Sequence, residues 1–512
     1  MFLCERARNR PHGQARLNHR GETRQMSIEA EIEIQRCHLE KMDKALVEAG
    51  LLLPGVLSHE QYTKIRYGLS LARLGTFEPG AAAAGASIGR REVSVDQGPI
   101  EALRERIFAT LGPILGAKME PGAQLIRARK WLEEFRPQIT ATRERLLRAH
   151  QEDFSSAELD AEIGRKALVV VAGGGGGAGY IYLGAFAALD RLGIMPGMIV
   201  GASMGAVIGL FRARWRNPDF NSQLELATSL EPDKVFRFAS IRRRYGLPGV
   251  MRLFLQSSIG ERLNLADGSP CRLSELEIPF VSVVAGVRPD ALRASPEEWA
   301  STRKLGATEK PSRIALSAQI GKQLLQMMDF VNPVSVRAIG LGEDARTLDA
   351  NAVDAVGFSA AIPGILHYDV TRNDPEMHGI LESVMEREQV VALIDGGVAA
   401  NVPVRLARQA VHQGRIGTRN ACVLALDSFR PRLTPSHAWL WPVMRMVEVQ
   451  LGEQEPYASF LIRFTGTLSP VSLLPGREAI ERVMLEGRRQ TERIAPSLQA
   501  SLQPFGWVPE GS

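Results

Sequence analysis

The chain has 512 residues, of which 45% are hydrophobic and 23% charged, and its formal net charge is +5 at pH 7. This composition excludes a disordered or collagen-like chain, and at roughly 150 residues per domain the length predicts two or three domains with buried cores. A net charge of +5 spread over this length gives no argument for nucleic-acid binding.

The first 26 residues contain six arginines and no apolar segment of the kind that a secretory signal peptide requires. We therefore expect residues 1–26 to be a disordered basic tail and the protein to be cytoplasmic. The four cysteines are far apart, without a CxxC pair or a zinc-like spacing, so free thiols and no metal site are expected. The uncharged stretch Ala167–Leu189 is rich in glycine, which argues against a transmembrane helix.

Residues 27–160 are predicted to form a helical N-terminal domain. Apolar side chains recur every three or four positions, as on one buried helical face, at Ile100, Leu103, Ile107, Leu111 and Ile114. A similar apolar face runs from Ile28 to Leu46 and ends before Gly50. A Gly/Ala-rich stretch at about residues 77–98 is predicted to link the two helices.

The pattern changes after Lys166 to alternating strands and helices. Residues 167–172 (ALVVVA) predict a strand covered on both faces, and a helix follows over Tyr180–Leu192. A strand at 198–200 and a helix from Met204 repeat this unit, as in a parallel, doubly wound α/β sheet. Further strands are predicted at Phe280–Val284, Val390–Ile394 and Ala421–Leu426. Residues 431–512 are predicted to be a C-terminal helical segment.

The pattern G-x-S-x-G occurs at residues 201–205, directly after the second predicted strand and directly before a helix. A nucleophilic serine needs a sharp strand-to-helix turn so that its hydroxyl stands clear of the sheet. Gly201 and Gly205 are required beside it because the backbone passes very close on either side. Ser203 is therefore the candidate nucleophile.

A glycine-rich loop follows the first predicted strand, and it fits G-x-G-x-x-G through Gly174, Gly175, Gly176, Gly177, Ala178 and Gly179. Such a loop can hold the pyrophosphate of a dinucleotide, together with an acidic residue about 20 positions later. No acid stands at the end of the next strand here. The alternative is an oxyanion hole built from backbone N–H groups, which the nearby serine favours.

A carboxylate follows the strand predicted at Val390–Ile394. Asp395 stands at the strand end, and Gly396 and Gly397 after it allow another backbone to come close. An Asp-Gly pair alone usually marks only a turn. Combined with the serine turn and the glycine loop, it indicates a functional site.

In chain order, the glycine loop, the G-x-S-x-G turn and the Asp-Gly-Gly motif resemble those of the patatin-like phospholipase family. Ser359–Gly364 (SAAIPG) and Asp395–Val404 (DGGVAANVPV) are also similar to blocks of that family. The resemblance covers about residues 165–430 and implies a three-layer α/β/α domain there with a mainly parallel sheet. It also implies lipid acyl hydrolysis without a metal or an organic cofactor.

The resemblance further implies a Ser–Asp dyad. Ser203 would attack the ester, Asp395 would take its proton and later activate water, and the amides of the glycine loop would form the oxyanion hole. A Ser–Asp–His triad needs a histidine after Asp395, where only His412 and His437 occur, and His412 is better explained as a surface residue of a helix. The family usually has arginine in the loop where this chain has Ala178, so we expect a difference in rate or substrate preference.

The implied substrate is a lipid ester: a phospholipid, a lysophospholipid or a neutral glyceride. Val235–Ile259 alternates arginine with apolar residues, which suits either transient contact with an anionic membrane surface or a helix with a solvated arginine face. Leu316–Phe330 is predicted to be an apolar helix, either a lid or part of the core. Two alternatives to an enzyme remain at this point: a catalytically silent lipid-binding or scaffold protein of the same fold, and a nucleotide-binding protein. The sequence leaves the oligomeric state open.

Overall fold

The computed structural model describes residues 12–85, 87–116, 119–237, 244–291, 336–430 and 441–509. The N-terminal part is mainly helical and includes one short antiparallel strand pair. Its elements are α1 (His12–Leu52), α2 (His59–Leu71), β1 (Thr76–Phe77), α3 (Ala81–Ala84), β2 (Val93–Ser94), α4 (Gln97–Thr110), α5 (Gly112–Leu115), α6 (Pro121–Ala149) and α7 (Ser156–Gly164).

The helical unit has its own apolar core, to which α1, α2, α4, α6 and α7 all contribute. The apolar face predicted around residues 100–114 lies on α4 and α5, and Ile100, Leu103 and Ile107 are fully buried there. Helix α1 begins at His12, so residues 12–26 are helical where we expected a disordered tail. This stretch follows Pro11 and contains three arginines and two glutamines, which favour helix. Residues 1–11 of the predicted tail lie outside the described part of the chain.

The remainder of the described chain alternates strands and helices. Its elements are β3 (Ala167–Ala172), α8 (Ile181–Arg191), β4 (Met198–Ala202), α9 (Met204–Arg214), α10 (Phe220–Ser229), α11 (Pro232–Val235), β5 (Phe236–Arg237), β6 (Gly249–Leu253), α12 (Glu261–Leu263), β7 (Phe280–Val287), β8 (Val336–Leu341), α13 (Ala352–Ser359), β9 (Gly364–His367), α14 (Pro375–Glu388), β10 (Ala392–Asp395), α15 (Val404–His412), β11 (Ala421–Asp427), α16 (Trp441–Gln454), β12 (Phe460–Arg463) and α17 (Arg477–Leu502).

In the described part of the chain, seven strands form the central sheet, in the order β8–β7–β4–β3–β11–β12, with β10 placed beside β7 beyond the end of β4. All neighbours from β7 to β12 in this order are parallel, whereas β8 and β10 run antiparallel to β7. The fold class expected from the sequence, a mainly parallel α/β sheet preceded by helices, is therefore confirmed.

Both faces of the sheet are covered. Alternate strand residues, such as Leu168 and Val170, enter a core with α8, α9 and α17 on one face. Their neighbours Val169 and Val171 enter a second core with α15 on the other face. Because side chains alternate along a strand, this division means that helices lie on both sides, which gives three layers.

The last part of the chain belongs to the α/β unit rather than to a separate helical segment. Strand β12, which the sequence analysis did not predict, pairs with β11 at the edge of the sheet. Helix α17 packs closely on α8: a Cβ on Gly184 would lie 1.9 Å from the Met484 carbonyl oxygen, and one on Gly487 would lie 2.2 Å from that of Ile181. Four residues (FLIR) are too few to display a clear strand period, so β12 escaped prediction.

Two further expectations concern surface segments. In Val235–Ile259 the described residues form β5, β6 and a short π-helical turn, and β5, β6 and β9 form a small sheet, so a continuous helix there was wrong. Gly246, Pro248 and Gly249 lie in this segment and disfavour a continuous helix. Leu316–Phe330, the expected lid or core helix, lies outside the described residues. Within the described ranges, no helix is both long and apolar enough to cross a bilayer.

Candidate active site

Strand β7 brings Ser203 and Asp395 together. On one edge of β7, Ala202 at the end of β4 lies opposite Val283, and Asp395 at the end of β10 lies opposite the next residue, Val284. Strand β8 occupies the other edge, so β4 and β10 approach each other head-on along the same edge. Since β4 is parallel and β10 antiparallel to β7, their carboxyl ends meet, and Ser203 follows β4 by one residue.

Ser203 lies in a sharp turn between β4 and α9. Its backbone has φ 53° and ψ −127°, in a region that non-glycine residues rarely adopt and that costs roughly 1–3 kcal/mol. The glycines on either side are sterically required. A Cβ on Gly201 would lie 2.5 Å from the Ala206 Cα, and one on Gly205 would lie 2.2 Å from the Ala172 carbonyl oxygen. This is the close backbone approach that the G-x-S-x-G pattern predicts.

The serine hydroxyl and the aspartate carboxylate are in direct contact. Ser203 Oγ donates a hydrogen bond of 2.6 Å to Asp395 Oδ2, and Gly397 N donates one of 2.8 Å to Asp395 Oδ1. Both side chains are buried. Burial raises the pKa of Asp395 to about 6, against the lowering effect of these two hydrogen bonds. The carboxyl is therefore a stronger base than an exposed aspartate and is still mostly ionised at neutral pH.

Ser359, at the end of α13, holds the serine turn in place. The backbone N–H of Ser203 donates to Ser359 Oγ at 2.9 Å, and Ser359 Oγ donates to the Val283 carbonyl oxygen at 2.5 Å. One hydroxyl thus joins the turn to the central strand β7. In the sequence, Ser359–Gly364 is recognisable only as a block similar to the patatin family, because a contact between residues 156 positions apart leaves no local signal.

The glycine loop lies between β3 and α8, beside Ser203. The amides of Gly174, Gly177 and Ala178 already donate to backbone carbonyl oxygens. Within the described part of the chain, the amides of Gly175 and Gly176 have no acceptor, and both residues line a cavity that contains Ser203 and Asp395. These two N–H groups are the donors that remain available to a bound oxyanion.

The loop is closed on its outer side by the C-terminal part of the chain. Gly176 has φ +52°, and a Cβ on it would lie 2.2 Å from the Pro470 carbonyl oxygen. A Cβ on Gly177 would lie 2.2 Å from the Ser472 carbonyl oxygen. The backbone of the C-terminal segment therefore covers the outer side of the loop. Ala178 is fully buried and its side chain does not face the cavity.

The remaining motif glycines also allow close approaches. A Cβ on Gly396 would lie 2.0 Å from the Val283 carbonyl oxygen, so the backbone after Asp395 presses directly on β7. A Cβ on Gly179 would lie 2.6 Å from Met204 Cγ, which brings the glycine loop against the first turn of α9. These contacts hold the three motifs in one compact group.

Two apolar cavities meet at Ser203. The α9 cavity extends under α9, α10 and β6, and its apolar lining includes Leu183, Val207, Phe211, Leu226, Leu253 and Ile362. The α16 cavity extends toward α16, and its apolar lining includes Val398, Phe429, Val443, Met446, Val471 and Leu473. Among the described lining residues of both cavities, Asp395 is the one charged side chain.

His412 does not approach this group. Its Nε2 contacts a carboxylate oxygen of Glu33 on α1, at the interface with the helical unit. His437, the other histidine after Asp395, lies outside the described residues. In the described ranges no three His, Cys, Asp or Glu side chains are grouped so that they could hold a metal ion.

No curated protein sequence matches the chain. A sequence model of the patatin-like phospholipase family matches residues 169–408, a range that runs from β3 into α15 and includes the serine turn and Asp395. This match confirms the resemblance drawn from the three motifs. Residues 169–408 therefore form a patatin-like phospholipase domain, of a family of lipid acyl hydrolases.

Proposed function

We propose that the protein hydrolyses carboxyl esters of lipids, with Ser203 as nucleophile and Asp395 as general base. The observation that carries the proposal is the 2.6 Å hydrogen bond between Ser203 Oγ and Asp395 Oδ2 at a buried strand-to-helix turn. A serine hydroxyl is a weak nucleophile unless an adjacent base accepts its proton, and Asp395 occupies that position.

The chemistry proceeds in two halves. Ser203 Oγ attacks the ester carbon while its proton passes to Asp395, and the N–H groups of Gly175 and Gly176 donate to the resulting oxyanion. Collapse of the tetrahedral intermediate breaks the ester C–O bond, and Asp395 returns the proton to the departing alcohol. Water then attacks the acyl-enzyme and gives its proton to Asp395, after which Ser203 leaves with that proton and the fatty acid is released.

The two cavities suggest the form of the substrate. An ester carbonyl at Ser203 has one apolar cavity on each side, so the acyl chain fits in the α9 cavity and an alcohol part with its own acyl chain fits in the α16 cavity. No cationic side chain lines either cavity in the described part of the chain. We therefore propose that neutral glycerides with at least two chains are preferred over lysophospholipids, whose phosphate would lie next to the site without a counter-charge.

The small sheet of β5, β6 and β9 is the proposed membrane-facing surface. Phe236 and Leu253 line the α9 cavity, while the guanidinium groups of Arg237 and Arg252 lie 4.9 and 5.0 Å from the centre of the Phe254 ring. Apolar side chains at a cavity beside arginines over an aromatic ring suit the interface of an anionic membrane.

The proposal is tested by turnover of dioleoylglycerol, diacyl phosphatidylcholine and lysophosphatidylcholine by the full chain and by Ser203→Ala. We expect release of fatty acid, fastest from the diacylglycerol, and a loss of at least about a thousandfold in Ser203→Ala. Ser222→Ala, an exposed serine on α10, is the matched control and keeps full activity. Activity retained in a folded Ser203→Ala protein contradicts the assignment.

A further inference from the structure

A polar cavity lies between the helical unit and the α/β unit, far from Ser203. Helices α1 and α15 form its walls, and we call it the α1–α15 cavity. Ile163 and Asn420, which lie just before the amino ends of β3 and β11, contribute to its lining. The candidate active site follows the opposite ends of these strands. A six-residue strand therefore separates the two sites, which corresponds to about 20 Å.

The lining of this cavity carries an excess of positive charge. Six of its side chains are arginines and two are glutamates, Glu33 and Glu162. The arginines come from five parts of the fold and are Arg36, Arg73, Arg337, Arg405, Arg408 and Arg419. Such a concentration of guanidinium groups in one concave surface produces a strong local positive potential.

Within the described residues, three of these arginines lack a carboxylate at hydrogen-bond distance. Arg408 and Arg419 form direct ion pairs with glutamates, and Arg337 pairs with Glu388 at 3.1 Å. By contrast, the nearest described carboxylate oxygens to Arg36 and Arg73 are both at 3.9 Å, which is too long for a hydrogen bond. Arg405 has no carboxylate within ion-pair distance among the described residues, and its guanidinium lies 5.4 Å from the centre of the Tyr457 ring.

Of these three arginines, Arg36 has the least complete hydrogen bonding. Its Nε is buried and has no hydrogen-bond acceptor within the described part of the chain. Burial lowers the pKa of Arg36, and the neighbouring charges of Arg73 and Arg419 lower it further against the effect of Glu33. Burying guanidinium groups beside one another is unfavourable unless an anion lies between them.

We propose that the α1–α15 cavity binds a phosphate-bearing anion between Arg36, Arg73 and Arg405. The planar fork of a guanidinium matches two oxygens of a phosphate group, and such charge-assisted bonds are roughly twice as strong as neutral ones. Three incompletely paired arginines suit a multivalent anion better than a single carboxylate. The anion is either a free phosphate compound or the headgroup of a phospholipid.

Binding is measured by calorimetry with inorganic pyrophosphate, and by co-sedimentation with phosphatidylcholine vesicles that contain phosphatidic acid. Both experiments use the full chain. Arg36→Gln and Arg405→Gln, the second at an exposed position, each remove one guanidinium group, and we expect each to weaken binding about tenfold. Arg489→Gln, an exposed arginine on α17, is the matched control and leaves binding unchanged.

The two probes separate the sources of the anion. Binding of pyrophosphate in solution supports a free phosphate compound, and binding to the acidic vesicles alone supports a lipid headgroup. Absence of both kinds of binding in the folded wild-type chain overturns the proposal, as does binding that Arg36→Gln and Arg405→Gln leave intact. Ser203→Ala must bind the probes like the wild type, so the result does not depend on whether the protein is a hydrolase.

Discussion

At the scale of single residues, Ser203 and Asp395 each destabilise the folded state in a way that the fold alone does not require. Ser203 adopts a strained backbone conformation, and Asp395 is a carboxylate with 5% exposure and no cationic partner among the described residues. Strain and an unpaired buried charge persist where surrounding contacts enforce them, and they concentrate at functional sites. The hydrogen bonds of Ser359 and Gly397 provide that enforcement here.

The raised pKa of Asp395 makes a prediction about the pH dependence of the rate. A general base must be ionised, so the rate of ester hydrolysis should rise with pH, reach half its maximum near pH 6 and then level off. Asp395→Asn should lose activity at every pH. A rate that stays constant from pH 5 to pH 8, measured with a short-chain ester, would contradict the role of Asp395.

The same shift affects stability in a defined direction. The pKa of Asp395 is raised from an ordinary value of 3.8 to about 6, so the folded state holds more protons than the unfolded state between these values. The free energy of unfolding contributed by this group therefore falls as pH rises through that interval. Asp395→Asn should have a higher melting temperature than the wild type above pH 6, and the difference should vanish near pH 4.

At the scale of elements, the site depends on two strands that meet end to end on β7. The sequence predicted β4, β7 and β10 from their apolar runs, and it predicted the serine turn because the glycine spacing has a steric reason. It did not predict that β10 runs antiparallel to β7, because strand direction depends on pairing between residues that are about 110 positions apart. The hydrogen bond between Ser203 N and Ser359 Oγ also joins residues that are far apart in the sequence, so it could not be predicted either.

Gly205→Ala tests the close packing of these elements. The added Cβ would lie 2.2 Å from the Ala172 carbonyl oxygen, which is backbone and cannot turn away. We expect a loss of about 1–3 kcal/mol or more in the free energy of unfolding, together with loss of activity, by thermal and denaturant melts.

Gly379→Ala is the matched control for that variant. Gly379 lies inside α14, and a Cβ there has nothing within 4 Å. Alanine in a helix should raise the free energy of unfolding by roughly 0.5–1 kcal/mol. If Gly205→Ala is as stable as Gly379→Ala, the backbone approach at the serine turn is not as tight as the structure describes.

At the scale of the whole molecule, the α/β unit extends beyond the limit of 430 that the sequence suggested. Strand β12 covers the edge of β11, α17 covers α8, and Pro470 closes the glycine loop. This extension could not be predicted from the sequence, because the family-like motifs end before residue 430 and the later segments are recognisable only by what they contact. We propose that the catalytic unit comprises residues 165–502.

Truncation distinguishes a catalytic unit that ends at residue 430 from one that ends at residue 502. A fragment of residues 165–430 should aggregate, because it exposes the β11 edge and the apolar face of α8. A chain of residues 1–509 should remain folded, since it retains β12 and α17. Size-exclusion chromatography and circular dichroism compare the two. A monomeric, active 165–430 fragment would show that the C-terminal elements are dispensable.

The central claim is that Ser203 is an activated nucleophile, and covalent labelling by an alkyl fluorophosphonate tests it most directly. The serine oxygen displaces fluoride from phosphorus, so intact-mass spectrometry of the labelled chain should show one added phosphonyl group, and peptide mapping should locate it on Ser203. Ser203→Ala should gain no mass, and Asp395→Asn should react far more slowly. An unlabelled wild-type chain, or equal labelling of the Ser203→Ala protein, would contradict the claim.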